Sequence, residues 1–360
     1  MHTKMVSGGI EAMVCGLTNE LAKNNDVTLC TIFEPSSNDI FLNRLSSDIK
    51  IETIGKKKCG FSIKEIFKIY GYLKTRNFEI VHIHGCFQYY ILAILLLAKR
   101  IKFVYTIHSD ASMENQKWDR RLLFIKKKCF RDKVVFPVTI SKTSQQSFVD
   151  VYNCSNMLIF NGIIAPAKCD INKLKLYKLN EKTKLFIHPA RISEAKNQLV
   201  LCAVFDRLIK EGYDIVLVIA GIIENEQIYQ KMTQYFNNRI IYIGERDDVT
   251  DLMQFCDGFC LPSIWEGLPI SLLEALATGC IPICSPVGGI NDVVIDGFNG
   301  ILSESSSETD YYESVKRFLA YRDCELSAIK RRAMENFSEF SISNTANRYL
   351  ELYTNLVKEK

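Results

Sequence analysis

The 360-residue sequence has no apolar run long enough to cross a bilayer. The longest, Tyr89 to Ala98, falls well short of the roughly 20 residues that a spanning helix needs. The start, Met1-His2-Thr3-Lys4-Met5, lacks the apolar core of a signal peptide. These two absences predict a soluble or peripheral protein. There is no repeat of solenoid length and no low-complexity tract, which excludes arrays and fibrous classes. Zinc-knuckle spacing is also missing. Cys256-x3-Cys260 and Cys280-x3-Cys284 lie in apolar runs and read as core cysteines. The 13 cysteines are scattered and odd in number, unlike a secreted disulfide framework, so a reducing, cytoplasmic compartment is expected. No D-x-D motif stands at a strand end, and Asp247-Asp248 reads as a helix N-cap rather than a metal site.

What is present is an ordinary globular composition, 48% hydrophobic and 24% charged, at a length that suits two domains. The net charge of +4 conceals an asymmetry. Residues 1–160 hold 23 Lys+Arg against 14 Asp+Glu, and residues 161–360 hold 22 against 27. A basic first half favours phosphates, nucleic acid or an anionic membrane face. The stretch Trp118–Lys133, with Arg120, Arg121, Lys126, Lys127, Lys128, Arg131 and Lys133 among apolar residues, suits docking on such a membrane. A solvated helix with one core face is the simpler alternative.

Short β-branched runs alternate with helical stretches, which predicts parallel α/β architecture. The first half gives a helix Ile10–Lys23 and strands Val27–Phe33, Ile80–His84, Phe103–His108, Val135–Ser141 and Met157–Phe160. The pattern restarts with strands Lys184–Pro189, Ile215–Ala220, Ile240–Gly244, Gly258–Pro262 and Ile281–Ser285, and a helix Gln198–Glu211. From Glu308 the chain reads as helical. The expected domains are 1–165 and 183–340, with a polar linker over 166–182 and a helix over 341–360 returning to the first domain. No strand precedes the turn Gly8-Gly9. Either Met1–Ser7 makes a stunted strand, or the first strand of domain 1 is missing.

The segment Ser263-Ile264-Trp265-Glu266-Gly267-Leu268-Pro269-Ile270-Ser271-Leu272-Leu273-Glu274-Ala275 carries the chemistry. A strand ends before it, and Pro269 stands where a helix begins. Backbone N–H groups of Gly267, Leu268 and Ile270 at that helix start form an anion site. Glu266 and Glu274, eight apart, suit sugar hydroxyls better than phosphate. Upstream, Arg191 and Lys196 follow a strand and offer cations for a diphosphate.

The E-x7-E element, with Gly279-Cys280-Ile281-Pro282, Gly288-Gly289 and the basic pair, resembles the family-4 retaining glycosyltransferases (glycosyl transferases group 1) of GT-B fold. Ala190 stands where that family usually has glycine before the arginine. The resemblance implies an α/β GT-B fold, two Rossmann-like doubly wound domains facing a central cleft. It also implies a retaining hexosyltransferase that needs no metal and no cofactor. Arg191 and Lys196 would stabilise the leaving diphosphate, Glu266 would hold the transferred sugar and Glu274 the ribose. The backbone of Gly267, Leu268 and Pro269 would touch sugar and phosphate, and the loop containing Gly244 and Arg246 would receive the base. Gly8 and Gly9 resemble the family's glycine loop near the donor phosphate, and Asn161-Gly162 its hinge. His108 resembles its active-site histidine, and His84, on one strand face with His82, is a weaker candidate. The resemblance implies a nucleotide diphospho-sugar donor, expected to be a UDP-sugar, and an acceptor that is a glycan or polyprenyl-diphosphate-linked glycan, not nucleic acid. The expected setting is cell-surface polysaccharide (capsule or lipopolysaccharide) assembly on the inner membrane face. A sugar-nucleotide epimerase of the same fold and a non-catalytic nucleotide-sugar-binding relic stay open.

Overall fold

The computed structural model describes residues 1–6, 8–37, 39–112, 120–169 and 177–358. Ser7, Trp118 and residues 170–176 of the expected linker lie outside the described residues. The chain divides into two compact units, Met1–Ile164 with Ser341–Lys360, and Ala165–Phe340. Both are parallel α/β layers of Rossmann type.

In the first unit, α1 (Gly9–Ala22) is followed by β1 (Thr28–Phe33), β2 (Lys50–Lys56), α2 (Ile63–Lys74), β3 (Ile80–Ile83) and α3 (Ile91–Leu97). Then come β4 (Lys102–Ile107), α4 (Arg120–Arg131), β5 (Val135–Thr139), α5 (Lys142–Tyr152) and β6 (Met157–Leu158). The ladder β3-β4-β5-β6 and the pair β1-β2 meet through residues 1–3, because His2 bridges in parallel to both Thr31 and His84. The segment before α1 makes these isolated bridges in the manner of a stunted strand: the His2 N–H donates to Cys30 O (3.1 Å), and the His2 and Met1 carbonyls accept from the Ile32 and His84 N–H groups (3.0 Å each).

Strand alternation sorts this unit's side chains by face. Val81, Ile83, Phe103, Tyr105 and Ile107 join the buried core beneath α2, α3, α4 and α5. His82 and Thr106 face the other way, onto Tyr349 and Tyr353 of the C-terminal helix Ile342–Lys358. Gly162 packs tightly against Ser341 and Ile342, where any larger residue would collide. The strand β2 was not expected from sequence. Among the described residues it pairs only with β1, and Ile54 and Lys56 are its buried side chains, so its apolar alternation is faint.

In the second unit the order is β7 (Lys184–Pro189), α6 (Gln198–Lys210), β8 (Ile215–Ala220), α7 (Glu226–Met232), β9 (Ile240–Tyr242), α8 (Val249–Met253) and β10 (Gly258–Leu261). It continues with α9 (Ile270–Thr278), β11 (Ile281–Cys284), α10 (Ile290–Val293), β12 (Ile301–Leu302), α11 (Glu308–Ala320) and α12 (Asp323–Asn336). The sheet runs β12-β11-β10-β7-β8-β9. Phe186 centres its core, with Phe205 and Phe318 each 5.1 Å away ring to ring. Burying each such ring contributes about 2–3 kcal/mol. Described residues of the expected linker pack onto this unit, with Cys169 N donating to Gln254 Oε1 (3.1 Å) and Lys178 3.6 Å from Asp257. Cys256, Cys260, Cys280 and Cys284 are buried free thiols that fill the core.

The basic stretch of α4 departs from the sequence reading. Lys126 is fully buried, with its ammonium 4.7 Å from the Tyr105 ring centre, 5.6 Å from Phe87 and 5.8 Å from Phe130. An aromatic cage of this kind offsets desolvation of the cation through the rings' negative faces.

Candidate active site

The strand order of the second unit reverses between β10 and β7, and ligands of open α/β sheets bind outside the carboxyl ends of strands at such a point. The loops leaving those two strands are tied together there. Lys196 Nζ donates to Glu266 Oε1 at 2.5 Å, and Ser263 Oγ donates to the same oxygen at 2.7 Å. The Ile264 N–H donates to Ala195 O (2.8 Å), and Asn197 Nδ2 donates to Pro262 O (3.2 Å) and Ser306 O (2.9 Å). Asn197 adopts the left-handed region (φ 55°), which asparagine tolerates better than most residues, and α6 starts from it. Gln198 is fully buried and donates to Arg191 O at 2.7 Å, so it pins the loop between Arg191 and Lys196.

The pair is enclosed, with the side chains of Lys196 and Glu266 18% and 9% exposed. An ammonium has three N–H donors, so Lys196 bonded to Glu266 still has donors for an anion. Arg191 takes a different course. Its guanidinium turns to Glu224 at 3.4 Å, and both side chains are more than half exposed. Behind the pair lies His188, fully buried on β7. Its Nδ1 hydrogen goes to Cys260 O (2.8 Å), while Nε2 is buried without a partner. Burial, and then the charge of Lys196, holds this imidazole down to about 4, so it is neutral at physiological pH.

Glu266 precedes α9, and Glu274 lies on it. Pro269 is the N-cap (φ −69°, ψ 125°), one residue outside the helix, so its extended ψ sets the turn and Ile270 is the first helical residue. The helix stops at Gly279 in the left-handed conformation (φ 74°). Leu268 and Pro269 are buried, so this segment can offer a ligand its backbone but not its side chains. The loop after β11 closes over it. The Gly289 N–H donates to Gly267 O at 2.6 Å, and Gly288 (φ 54°) touches the Glu266 carbonyl so closely that a methyl group would overlap it.

The loop after β9 carries Gly244, whose carbonyl accepts from the Gly221 N–H at 2.8 Å. Arg246 is exposed and grips Asp248 through two bonds of 2.7 and 2.6 Å. Asp248 occupies the N-cap of α8, but its side chain makes no capping bond. The cap expected there gives way to the ion pair. Among the described residues no cluster of His, Cys, Asp or Glu could hold a metal ion.

In the first unit, four of the chain's five histidines gather at the carboxyl end of β3 and β4. His84 Nδ1 lies 3.0 Å from His108 Nε2. His82 contacts Tyr353 Oη (2.6 Å) and Thr106 Oγ1 (2.7 Å), and its ring lies 4.0 Å from that of His84. His2 Nε2 lies 3.2 Å from Glu11 Oε1 in the first turn of α1. Burial pushes His108 down to about 3, and His82 and His84 well below the usual imidazole range. These rings are therefore neutral hydrogen-bonding groups rather than cations. The Nδ1 of His108 is buried and unpartnered. Gly8 caps α1 in an extended conformation, and the Glu11 carboxylate fills the space a side chain would need; Gly9 is the first helical residue.

Residues 7–164 match the description Glycosyltransferase Family 4, and residues 172–337 match Glycosyl transferases group 1. The chain belongs to the family-4 glycosyltransferases of GT-B fold. This glycosyltransferase is 26% identical over 317 residues to the UDP-Gal:alpha-D-GlcNAc-diphosphoundecaprenol alpha-1,3-galactosyltransferase of Escherichia coli, covering 83% of this chain and 81% of that one. Over 194 residues it is 27% identical to the N,N'-diacetylbacillosaminyl-diphospho-undecaprenol alpha-1,3-N-acetylgalactosaminyltransferase of Campylobacter jejuni, covering 51% of each chain. Among solved structures, Anabaena HepE in complex with UDP and glucose superposes with a TM-score of 0.78 at 17% identity, over 98% of this chain and 97% of that one. A glycosyltransferase from Rickettsia africae gives 0.80, also at 17%, over 100% and 99%.

Of the residues singled out from the glycosyltransferase sequence, Lys196 and Glu266 meet, as do His84 and His108. Sequence reasoning assigned no role to Ser263, which bonds Glu266 three residues on, and missed Asn197, Gln198 and His188, which bond to backbone, and Glu11 and His2 beside Gly8. Only Asn197 carried a local signal, as a polar residue immediately before a helix.

Proposed function

We propose that this glycosyltransferase moves a sugar from a UDP-sugar to a hydroxyl of a polyprenyl-diphosphate-linked glycan, with retention of configuration, in cell-surface polysaccharide assembly at the cytoplasmic membrane face. The observation that carries the reading is the enclosed Lys196–Glu266 pair at the β7/β10 switch point. It sets a cation and a hydroxyl acceptor side by side, as a diphosphate esterified to a sugar requires. Family membership supports the reaction class. The E. coli and C. jejuni relatives, whose names contain diphospho-undecaprenol acceptors, support the acceptor class.

In this reading Lys196 holds the diphosphate, and Arg191 swings from Glu224 to join it. Together they supply the positive charge on the leaving group, with no metal required. Glu266 accepts from hydroxyls of the transferred sugar and Glu274 from the ribose. The backbone of Gly267, Leu268 and Pro269 contacts sugar and phosphate, and the Gly244–Arg246 loop receives the base. In the first unit the family resemblance assigns roles to Gly8, Gly9 and His108, and His108 would act as a neutral hydrogen-bonding group. The bond from the anomeric carbon to the phosphate oxygen breaks as the acceptor oxygen attacks the same face. The acceptor proton passes to the departing phosphate oxygen, so no side-chain nucleophile is needed.

Incubation with labelled UDP-sugars and a GlcNAc-diphosphopolyprenol should move label into the organic phase, as an α-linked product from an α-linked donor. Transfer from GDP-sugars alone would overturn the donor assignment. Conversion of the nucleotide sugar to its epimer without acceptor would replace transfer by epimerisation.

A further inference from the structure

The segment Lys56 to Arg76 holds seven basic residues and one acid, Glu65, and Glu65 is buried. Helix α2 within it turns Ile69 and Leu73 to the core. One turn apart on its outer side stand Ile63 and Phe67, each 62% exposed, beside the exposed Lys64 and Lys68. Just before the helix, Phe61 is 60% exposed and stacks on Tyr89, whose hydroxyl donates to Gly60 O at 3.0 Å. Helix α3 packs alongside, with Arg100 donating to Leu73 O at 2.5 Å. It adds Leu95 (61% exposed) and Leu96 (58%), followed by the exposed Lys99 and Arg100.

Five large apolar side chains, each more than half in water, thus lie on two neighbouring helices and just before the first of them, with basic residues beside them in sequence. Single exposed apolar residues are ordinary, but a ridge of this kind marks a docking surface. Its charge selects the partner: Lys56 is buried and Arg76 and Lys57 pair with Glu52 and Glu34, but the exposed Lys58, Lys64, Lys68, Lys99 and Arg100, with Glu65 buried, complement an anionic face. Apolar tips with cationic stems beside them are the chemistry of helices that lie in the headgroup boundary of a bilayer. Helix α4, the basic stretch first suspected, is less suited. Its Lys126 is inside the core, Lys128 is paired with Asp132 at 2.6 Å, and Lys127 reaches Val151 O.

We infer that the α2–α3 face of the first unit docks on an anionic phospholipid bilayer, with Phe61, Ile63, Phe67, Leu95 and Leu96 entering the headgroup region. Docking would bring the enzyme to a lipid-linked acceptor, a purpose that rests on the proposed function, but the docking itself does not.

The test is flotation of the full chain with phosphatidylcholine vesicles, with and without phosphatidylglycerol. Binding is expected to the anionic vesicles, to weaken with salt, and to be slight on neutral ones. Ile63→Ser/Phe67→Ser and Lys58→Glu/Lys64→Glu should each lower partitioning about tenfold or more, since one basic residue is worth roughly fivefold at such a surface. All four positions are exposed, so melting temperatures should be unchanged. Lys127→Glu/Lys128→Glu should bind as the wild type does. Absence of binding at low salt, equal binding to neutral vesicles, or loss only in the α4 variant would overturn the inference. A UDP-induced thermal shift on the same samples reports the donor site separately, so failure of docking and failure of the transferase reading are told apart.

Discussion

Lys196→Ala is expected to lower kcat/KM for sugar transfer by about a hundredfold or more, with most of the loss in kcat. The estimate follows from removing a donor aimed at developing charge on the leaving phosphate. A structural effect accompanies it. Lys196 and Glu266 are an enclosed ion pair, and removing the cation leaves the carboxylate with the hydrogen bond from Ser263 at 2.7 Å. Breaking such a pair costs about 3–5 kcal/mol, so the melting temperature should fall as well. The double variant Lys196→Ala/Glu266→Gln isolates the structural effect, because the neutral amide needs no counter-ion. It should regain much of the stability but none of the rate, since Glu266 is also assigned to the sugar. A double variant that recovers turnover along with stability would show that Lys196 acts on the fold alone.

Gly288→Ala should be the most damaging conservative change near the site. The backbone there sits at φ 54°, and a methyl group would run into the carbonyl of Glu266. Strain and collision together are expected to cost about 2–4 kcal/mol. Relief requires the loop of residue 288 and the loop that carries Glu266 to move apart, although the Gly289 hydrogen bond to Gly267 O joins them. Transfer should therefore fall about as far as in Lys196→Ala, although residue 288 offers no side chain to a substrate. A Gly288→Ala enzyme with wild-type melting temperature and rate would mean that the loop after β11 does not hold Glu266 in place.

The sequence announced the second unit more clearly than the first. Strands β7 and β8 were read at their observed bounds because both are buried along most of their length, β8 as an unbroken apolar run and β7 through Leu185, Phe186 and Ile187. The Glu266–Glu274 helix was legible through its proline start and glycine stop. Strand β2 and helix α2 were not. The strand has an edge partner only, and Ile63 and Phe67 on the wet side of α2 blur its amphipathic contrast. Lysines mislead in a similar way: the run at 126–128 reads as surface charge, yet the helix turns Lys126 into an aromatic cage. Pairings made across the sheet stayed hidden as well. Lys196 and Glu266 are 70 residues apart, and only the adjacency of β7 and β10 brings them together. For the same reason sequence reading grouped Arg191 with Lys196, whereas the arginine turns outward to Glu224.

The central claim is that the second unit binds a nucleoside diphosphate sugar at the β7/β10 switch point, with Glu274 on the ribose. The most direct measurement is the melting temperature of wild type and Glu274→Ala with UDP, GDP, ADP and their sugars, since a ligand that binds only the folded state raises it. The expected result is stabilisation of the wild type by UDP and UDP-sugars, lost in Glu274→Ala. A wild type that no nucleotide stabilises, or a Glu274→Ala variant stabilised as strongly as the wild type, would contradict it.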